Sequence, residues 1–410
     1  MSSPRRPAGS DITRRAFVGA LGASAAAVWM PRPGRAQPSA GGDIEQRLTL
    51  LVQEFDRQGN HRTGTRGDLL SAQWLSTQMQ AWRVSALLEP FAFPRVDIVN
   101  AYLQQRDRRL DGVPVYDATF TDAFGVFGRL GPPRAGTEVA VVSSDDPDWP
   151  GLRRTTKAAV IVLVAKAARP GLALQDAPDY GAPFGPPVLQ VSSEESAWLR
   201  EQVEKEASVK VVLDAKREPA QAFNVLARIR GRDPAAPPLV VSASRSGWWR
   251  AASERGGGLA CLLEAVRAVS AIRPVRDCVF VAATGSELGD LGTGALLEKH
   301  PELRAANAWV RLGPNLGAAV RGSVVAETGD EALGAAAREA AAGAGLDVQL
   351  QAGAAGAHAG LANGRLVSVF ATGNPYVRLA SDRWPDTLSM PALAKQASLV
   401  VELARTLAAR

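Results

Sequence analysis

Histidine is almost missing from this 410-residue chain: only His61, His300 and His358 occur. None stands at metal-ligand spacing from another, so each reads as a loop or capping residue. No G-x-S-x-G turn is present, and no histidine lies close enough in sequence to serve a serine as base, which removes the usual support for a serine hydrolase. Cysteine is as scarce. Cys261 and Cys278 fall in a core-like helix and a core-like strand, where they read as small buried hydrophobes in preference to a disulfide, whose Cα separation sequence cannot show. After residue 36 no apolar run approaches the ~20 residues that a bilayer span needs. There is no internal repeat.

Charge of one sign is also lacking once the N-terminus is set aside. The net charge is +6, but residues 1–36 hold Arg5, Arg6, Arg14, Arg15, Arg32 and Arg35 against Asp11 alone, which is +5 and leaves +1 for the remainder. A nearly neutral body gives no electrostatic case for nucleic acid or an anionic membrane. The N-terminus itself reads as a twin-arginine signal peptide over 1–36. Thr13-Arg14-Arg15-Ala16-Phe17 is followed by the short apolar run Val18–Met30 and by a small-x-small cleavage site at Gly34-Arg35-Ala36. A linker over 37–42 follows. The expectation is an exported protein, periplasmic or extracellular, that does not span a membrane.

With 46% apolar and 21% charged residues, the rest has the composition of a globular protein large enough for two domains. Apolar spacing predicts a helix over 43–57 and another through Leu69, Leu70, Trp74, Leu75 and Met79, with Asp68 as its N-cap. Two strands follow, near 85–93 and 99–105. Over 109–221 short β-like runs alternate with Pro/Gly-rich loops and one helical pattern at 194–205, which predicts a small β-rich inserted domain without a cluster of acids, bases or ligands. Strands and helices then alternate to a terminal helix near 391–407. The fold class is therefore α/β, a mostly parallel central sheet with helices on both faces, over 43–108 and 222–410.

The most informative stretch is Leu239–Gly292. It reads as strand, loop, helix, strand, loop and helix, with a Gly triplet opening the first helix and Thr-Gly-Ser-Glu-Leu-Gly closing the second strand. Both polar loops lie at the carboxyl ends of buried strands, where open α/β sheets bind ligands.

In the order of these loops, the Gly-rich helix start and the terminal helix, the chain resembles the secreted co-catalytic zinc aminopeptidases, the group of aminopeptidase S and glutamate carboxypeptidase. The insert sits where many relatives carry a protease-associated domain. The resemblance implies two zinc ions held by His and carboxylate ligands. At the matching positions the chain departs from that pattern. Ser244, Arg245 and Ser246 stand for H-x-D. Glu254, in Ser253-Glu254-Arg255-Gly256, stands for the bridging Asp. Gly285-Ser286-Glu287 stands for Gly-x-Glu-Glu, so Ser286 occupies the general-base position and Glu287 keeps a ligand position. Gly313 falls at the fourth motif. Arg378, ahead of Asp382-Arg383-Trp384-Pro385, falls at the last histidine.

The remnant carboxylates are thus Glu254 and Glu287, and no metal or other cofactor is expected. The leading reading is a non-catalytic relative that binds a peptide or small anion. Arg245, Arg250, Arg255, Arg311 and Arg378 are its candidate anion contacts, Trp248 and Trp249 its apolar wall, and Ser244, Ser246, Glu254 and Glu287 its remaining lining. The same arginines can instead pair with neighbouring acids. The alternative is a hydrolase with residual or altered activity, a single zinc held by Glu254, Glu287 or Asp290. Asp290 enters through a second register, Ser286-Glu287-Leu288-Gly289-Asp290, which has the spacing of H-E-x-x-H with both histidines replaced. A third reading is a partner-binding protein that uses the insert.

Overall fold

The computed structural model describes residues 43–134, 136–319, 322–353 and 361–410. The expected signal peptide, the linker and His358 lie outside the described residues.

The chain enters through α1 (Ile44–Arg57) and α2 (Arg66–Ala81). It leaves along β1 (Ala86–Gln105) and passes through β2 (Arg108–Asp111), β3 (Val113–Pro114), β4 (Val126–Gly131), β5 (Val139–Ser143), α3 (Trp149–Thr155), β6 (Val160–Ala165), β7 (Val188–Ser192) and α4 (Ser196–Glu204). It returns along β8 (Ser208–Ile229). The second half is β9 (Leu239–Ser244), α5 (Gly257–Ser270), β10 (Cys278–Ala283), α6 (Leu291–Lys299), β11 (Ala308–Leu312), β12 (Val324–Thr328), α7 (Glu331–Gly343), β13 (Val348–Gln351), β14 (Leu366–Ala371) and α8 (Met390–Ala409).

The central sheet runs β13-β12-β14-β11-β9-β10-β8. β14, β11, β9 and β10 are parallel, while β12 and β8 join them antiparallel. On one face Leu259, Leu263 and Val266 of α5 pack with Leu399 and Leu403 of α8, Leu48 of α1 and Leu75 of α2. On the other, Val240, Val281 and Trp309 pack under Leu296 and Leu297 of α6. Burial on both faces is why β9 and β10 are almost continuously apolar. The Gly triplet matters most at Gly257, where a Cβ would lie 1.8 Å from the Leu316 carbonyl oxygen. Only glycine lets the start of α5 touch the loop after β11.

One expectation is corrected along β1. The strands read at 85–93 and 99–105 are a single twenty-residue strand paired with β8, and the irregularity between Ile98 and Asn100 is a register shift. Pro90 and Pro94 are tolerated because this stretch pairs on one side only, so their missing N–H groups break no ladder. Between β1 and β8, the strands β4, β5, β6 and β7 pair in parallel around their own core of Leu103, Leu130, Val162, Leu189 and Val211.

Cys261 and Cys278 are buried and unbonded to each other. Among the described residues, no helix is long and apolar enough to cross a membrane.

Candidate functional site

The register places Ser244, at the end of β9, beside Ala283, at the end of β10. The two loops that follow are therefore neighbours. From the first, the Ser246 hydroxyl donates to Glu287 Oε2 at 2.6 Å and accepts the backbone N–H groups of Gly285 (2.8 Å) and Ser286 (3.2 Å). Glu287 Oε1 accepts the backbone N–H of Thr63 at 2.8 Å and its hydroxyl at 2.6 Å. The Glu287 carboxylate thus takes three donors while only 1% exposed. Burial lifts its carboxyl above the usual range, and the Ser246 and Thr63 donors oppose that rise. Ser286, expected from the resemblance at a general-base position, donates to the Ser246 carbonyl at 3.1 Å and offers no basic group.

The second carboxylate is closed by different partners. Glu254 Oε1 lies 3.1 Å from the Arg255 guanidinium, and Oε2 accepts the backbone N–H of Arg378 at 2.9 Å. Asp382 organises the turn beneath it. Its Oδ1 accepts the Ser253 N–H (2.8 Å), the Ser253 hydroxyl (2.7 Å) and the Thr387 hydroxyl (2.8 Å), and its Oδ2 accepts the Glu254 N–H (2.9 Å). Burial raises the Asp382 carboxyl, with these donors opposing. Arg378 turns its side chain to Asp176, which also accepts the Trp248 indole N–H at 3.1 Å. Asp176 comes from the segment between β6 and β7, so that segment meets the loop between β14 and α8 at this point.

Several candidate arginines are placed elsewhere than a ligand would require. Arg245 is fully buried. Its guanidinium donates to Asp68 Oδ1 (2.6 Å), the Ser71 hydroxyl (3.0 Å) and the backbone carbonyls of Asp68 and Phe223. Asp68 is correspondingly not the N-cap of α2. The helix starts at Arg66, and Asp68 lies inside its first turn, 1% exposed. Burial raises the Asp68 carboxyl, and Arg245 pulls it back. Arg250 donates to the Asp56 carbonyl at 2.9 Å, facing α1. Its own carbonyl holds His61 Nδ1 at 2.9 Å, and the His61 ring stacks on Phe55 with centroids 3.7 Å apart. Burial pushes His61 down to about 3. His300 caps α6 and meets Glu89 at 2.9 Å.

Arg311 lies on the α6 side of the sheet in a polar row, between Ser242 of β9 and Ser368 of β14, with Glu327 next across. Burial lowers its guanidinium, Asp290 and Glu327 opposing and Arg255 adding to the fall. At Gly313, two residues on, a Cβ would lie 2.8 Å from the Phe370 Cβ, so no ligand side chain fits there without moving Phe370. Four non-glycine residues around these loops are left-handed: Ala251 (φ 51°), Asp290 (φ 56°), Asn315 (φ 72°) and Arg378 (φ 61°). Such strain, of order 1 kcal/mol or more each, concentrates at binding and catalytic loops.

The structure therefore brings together Ser246, Ser286 and Glu287 in one knot and Glu254, Arg255, Arg378 and Trp248 in another. Ser244 closes β9 half-buried. Thr63, Asp68 and Asp176 were not legible as site residues. Thr63 sits in the turn after His61 and Asp68 in the first turn of α2, neither with a ligand pattern, and Asp176 is in a Pro/Gly-rich segment 202 residues from Arg378. Among the described residues, no three His, Cys, Asp or Glu side chains converge as metal ligands do.

No protein-family model matches the sequence, and no curated protein matches it. The fold is nonetheless shared with solved structures. A zinc aminopeptidase from Bacillus subtilis superposes with a TM-score of 0.76 at 17% identity, covering 92% of this chain and 97% of that one. An aminopeptidase from Aneurinibacillus sp. strain AM-1 gives 0.67 at 15% identity, with 90% and 94% covered. A peptidase M28 precursor from Shewanella amazonensis SB2B gives 0.66 at 15% identity, with 90% and 95% covered. At these identities the likeness is one of fold. The chain has the mostly parallel α/β architecture of the zinc aminopeptidases.

Proposed function

We propose that this protein is a non-catalytic relative of the zinc aminopeptidases, exported by the twin-arginine route, that binds a peptide or small anion at the carboxyl edge of its sheet. The observation that carries this reading is the state of the two carboxylates left from the di-zinc constellation. Glu287 has both oxygens occupied by the Thr63 and Ser246 donors, and Glu254 is held by Arg255 and the Arg378 N–H. A zinc ion needs carboxylate, imidazole or thiolate lone pairs aimed at one point. Here five of the positions that supply or support them are Ser244, Ser246, Ser286, Gly313 and Arg378, and the two acids already accept hydrogen bonds from different partners. The donor set does not fit a pair of zinc ions. No hydrolytic step follows from it.

What the site retains suits binding. The loops keep their strained backbone, Trp248 and Trp249 remain at the rim, and the insert reaches over to the body through Asp176 and Arg378. The insert, taken as a protease-associated-like domain over 109–221, then serves as a wall of the site. The twin arginines Arg14 and Arg15 support export.

The test uses the mature chain and unblocked peptides, with and without added zinc. Calorimetry is expected to show saturable binding and mass spectrometry no cleavage. Zinc-dependent release of N-terminal residues would replace this reading with the residual hydrolase.

A further inference from the structure

A hollow of about 550 Å³ opens beside the Glu287 knot, between the Asn60–Gly67 turn, the edge of β1 and the Trp248–Trp249 loop. One wall is apolar and rigid. Tyr116 stands edge-on to Trp248 with centroids 4.8 Å apart. Trp249 is fixed at both ends, its carbonyl accepting the His61 N–H and its indole donating to the Arg378 carbonyl, each at 2.9 Å. Ile98 and Leu174 complete this wall, Ile98 remaining 39% exposed.

The opposite rim is cationic, and its charges differ in how far they are committed. Arg62 donates to the Val96 carbonyl (2.6 Å) and to the Tyr116 hydroxyl (2.9 Å), and lies 3.8 Å from Asp97. Asp97 is in turn gripped by Arg95 at 2.8 and 2.7 Å, which holds its carboxyl below the usual range. The one acid of the rim is therefore shared by two arginines. Arg66, at the first turn of α2, is exposed, and among the described residues no acceptor is bonded to its guanidinium. The Thr65 hydroxyl, which could have capped this helix end, instead donates to the Arg62 carbonyl at 2.6 Å. The rim thus carries an uncompensated positive charge next to an aromatic wall.

We propose that this hollow binds an amphipathic carboxylate. An apolar or aromatic side chain lies against Trp248, Trp249 and Ile98, and its carboxylate takes the Arg66 fork, which matches a planar anion bidentately. The proposal rests on the binding role given above and adds to it the class of ligand. The carboxylate belongs either to the C-terminal residue of a peptide or to a free acid of the same kind.

The test titrates the mature chain with N-acetyl-L-phenylalanine, its carboxamide, and a tetrapeptide ending in phenylalanine with a free carboxyl, reading calorimetry and tryptophan fluorescence. The acetylated probes have no free amino terminus, so their binding is measured independently of any peptidase activity. Losing one charge-assisted contact is expected to make the amide bind about tenfold more weakly than the acid. Arg66→Ala, at an exposed site where the fold loses little, is expected to bring acid and amide together. Ile98→Ala is expected to weaken both in parallel. A tetrapeptide binding more tightly than the single residue identifies the peptide source, and equal binding identifies the free acid; both support the carboxylate. Equal affinity of acid and amide for the unmodified chain, an acid preference that survives Arg66→Ala, or no saturable binding of the acid would each overturn the proposal.

Discussion

The Ser246 hydroxyl donates to the Glu287 carboxylate at 2.6 Å while accepting two backbone N–H groups from the loop that carries Glu287. In the zinc aminopeptidases that the sequence resembles, these two positions hold the residue that orients one metal ligand and a second ligand. Here they bond directly to each other.

That relationship makes Glu287→Gln a mild substitution. The amide oxygen can keep the Thr63 donors and a desolvated charge is removed, which offsets the acceptor lost to the Ser246 hydroxyl, whose two lone pairs already take N–H groups. Urea denaturation is expected to show a change within about 1 kcal/mol. Glu287→Ala leaves the Thr63 and Ser246 donors buried without an acceptor and is expected to cost about 2–5 kcal/mol. Equal destabilisation by Gln and Ala would contradict this account of the knot.

Arg245 and Asp68 form a buried pair, 0% and 2% exposed in their side chains. Removing one partner strands the other charge, so Asp68→Asn and Arg245→Met are each expected to cost about 3–5 kcal/mol. The double variant is expected to recover a substantial part of that loss. A double-mutant cycle measures it, and simple additivity of the two losses would show that the pair is not coupled.

His61 gives a pH dependence of definite sign. Its folded value of about 3 lies below the ordinary 6.5, so the unfolded chain binds the proton more strongly. The stabilisation is complete above pH 6.5 and declines as pH falls towards 3, by at most about 1.4 kcal/mol per pH unit. Asp176, Glu287 and Asp382 work the other way, because burial raises their carboxyls and protonating them in acid adds stability. The comparison that isolates His61 is with His61→Gln. The stability difference between the two chains is expected to be largest near pH 7–8 and to shrink steadily below 6.5. A difference independent of pH would refute the assignment.

Asp176 and Arg378 join the segment between β6 and β7 to the loop between β14 and α8, each about a third exposed. Asp176→Asn is expected to change global stability by no more than about 1 kcal/mol, since partly exposed pairs are weak. Hydrogen exchange is expected to rise locally, in residues 172–178 and 374–379. Unchanged exchange in both segments would show that the contact does not tie the two parts together.

Much of the scaffold was readable from residue pattern alone. The unbroken apolar runs of β9 and β10 and the Gly triplet before α5 are local signals, each with a local physical cause. The roles of the arginines were not. Arg245 follows a strand end as a ligand-binding residue would, but its partner Asp68 lies 177 residues away, and nothing in the intervening sequence marks the contact. Asp68 itself has the residue type of an N-cap, and its place inside the helix is set by the Arg245 charge across from it together with the Gly64 N–H and Thr284 hydroxyl that it accepts. Residues 85–93 and 99–105 read as two strands, because sequence does not show that both pair with β8 along one twenty-residue strand. Arg378 and Asp176 meet across 202 residues of sequence, through long-range packing of the segment between β6 and β7.

On the proposed reading, the Glu254 and Glu287 carboxylates are closed by protein donors and hold no zinc pair. Its most direct measurement is the zinc content of the mature chain, by elemental analysis after equilibration with excess zinc and removal of the unbound ion. The account predicts fewer than ~0.2 equivalents per chain, because binding would have to displace three hydrogen bonds from Glu287 with no imidazole to replace them. One or two tightly held equivalents would contradict it.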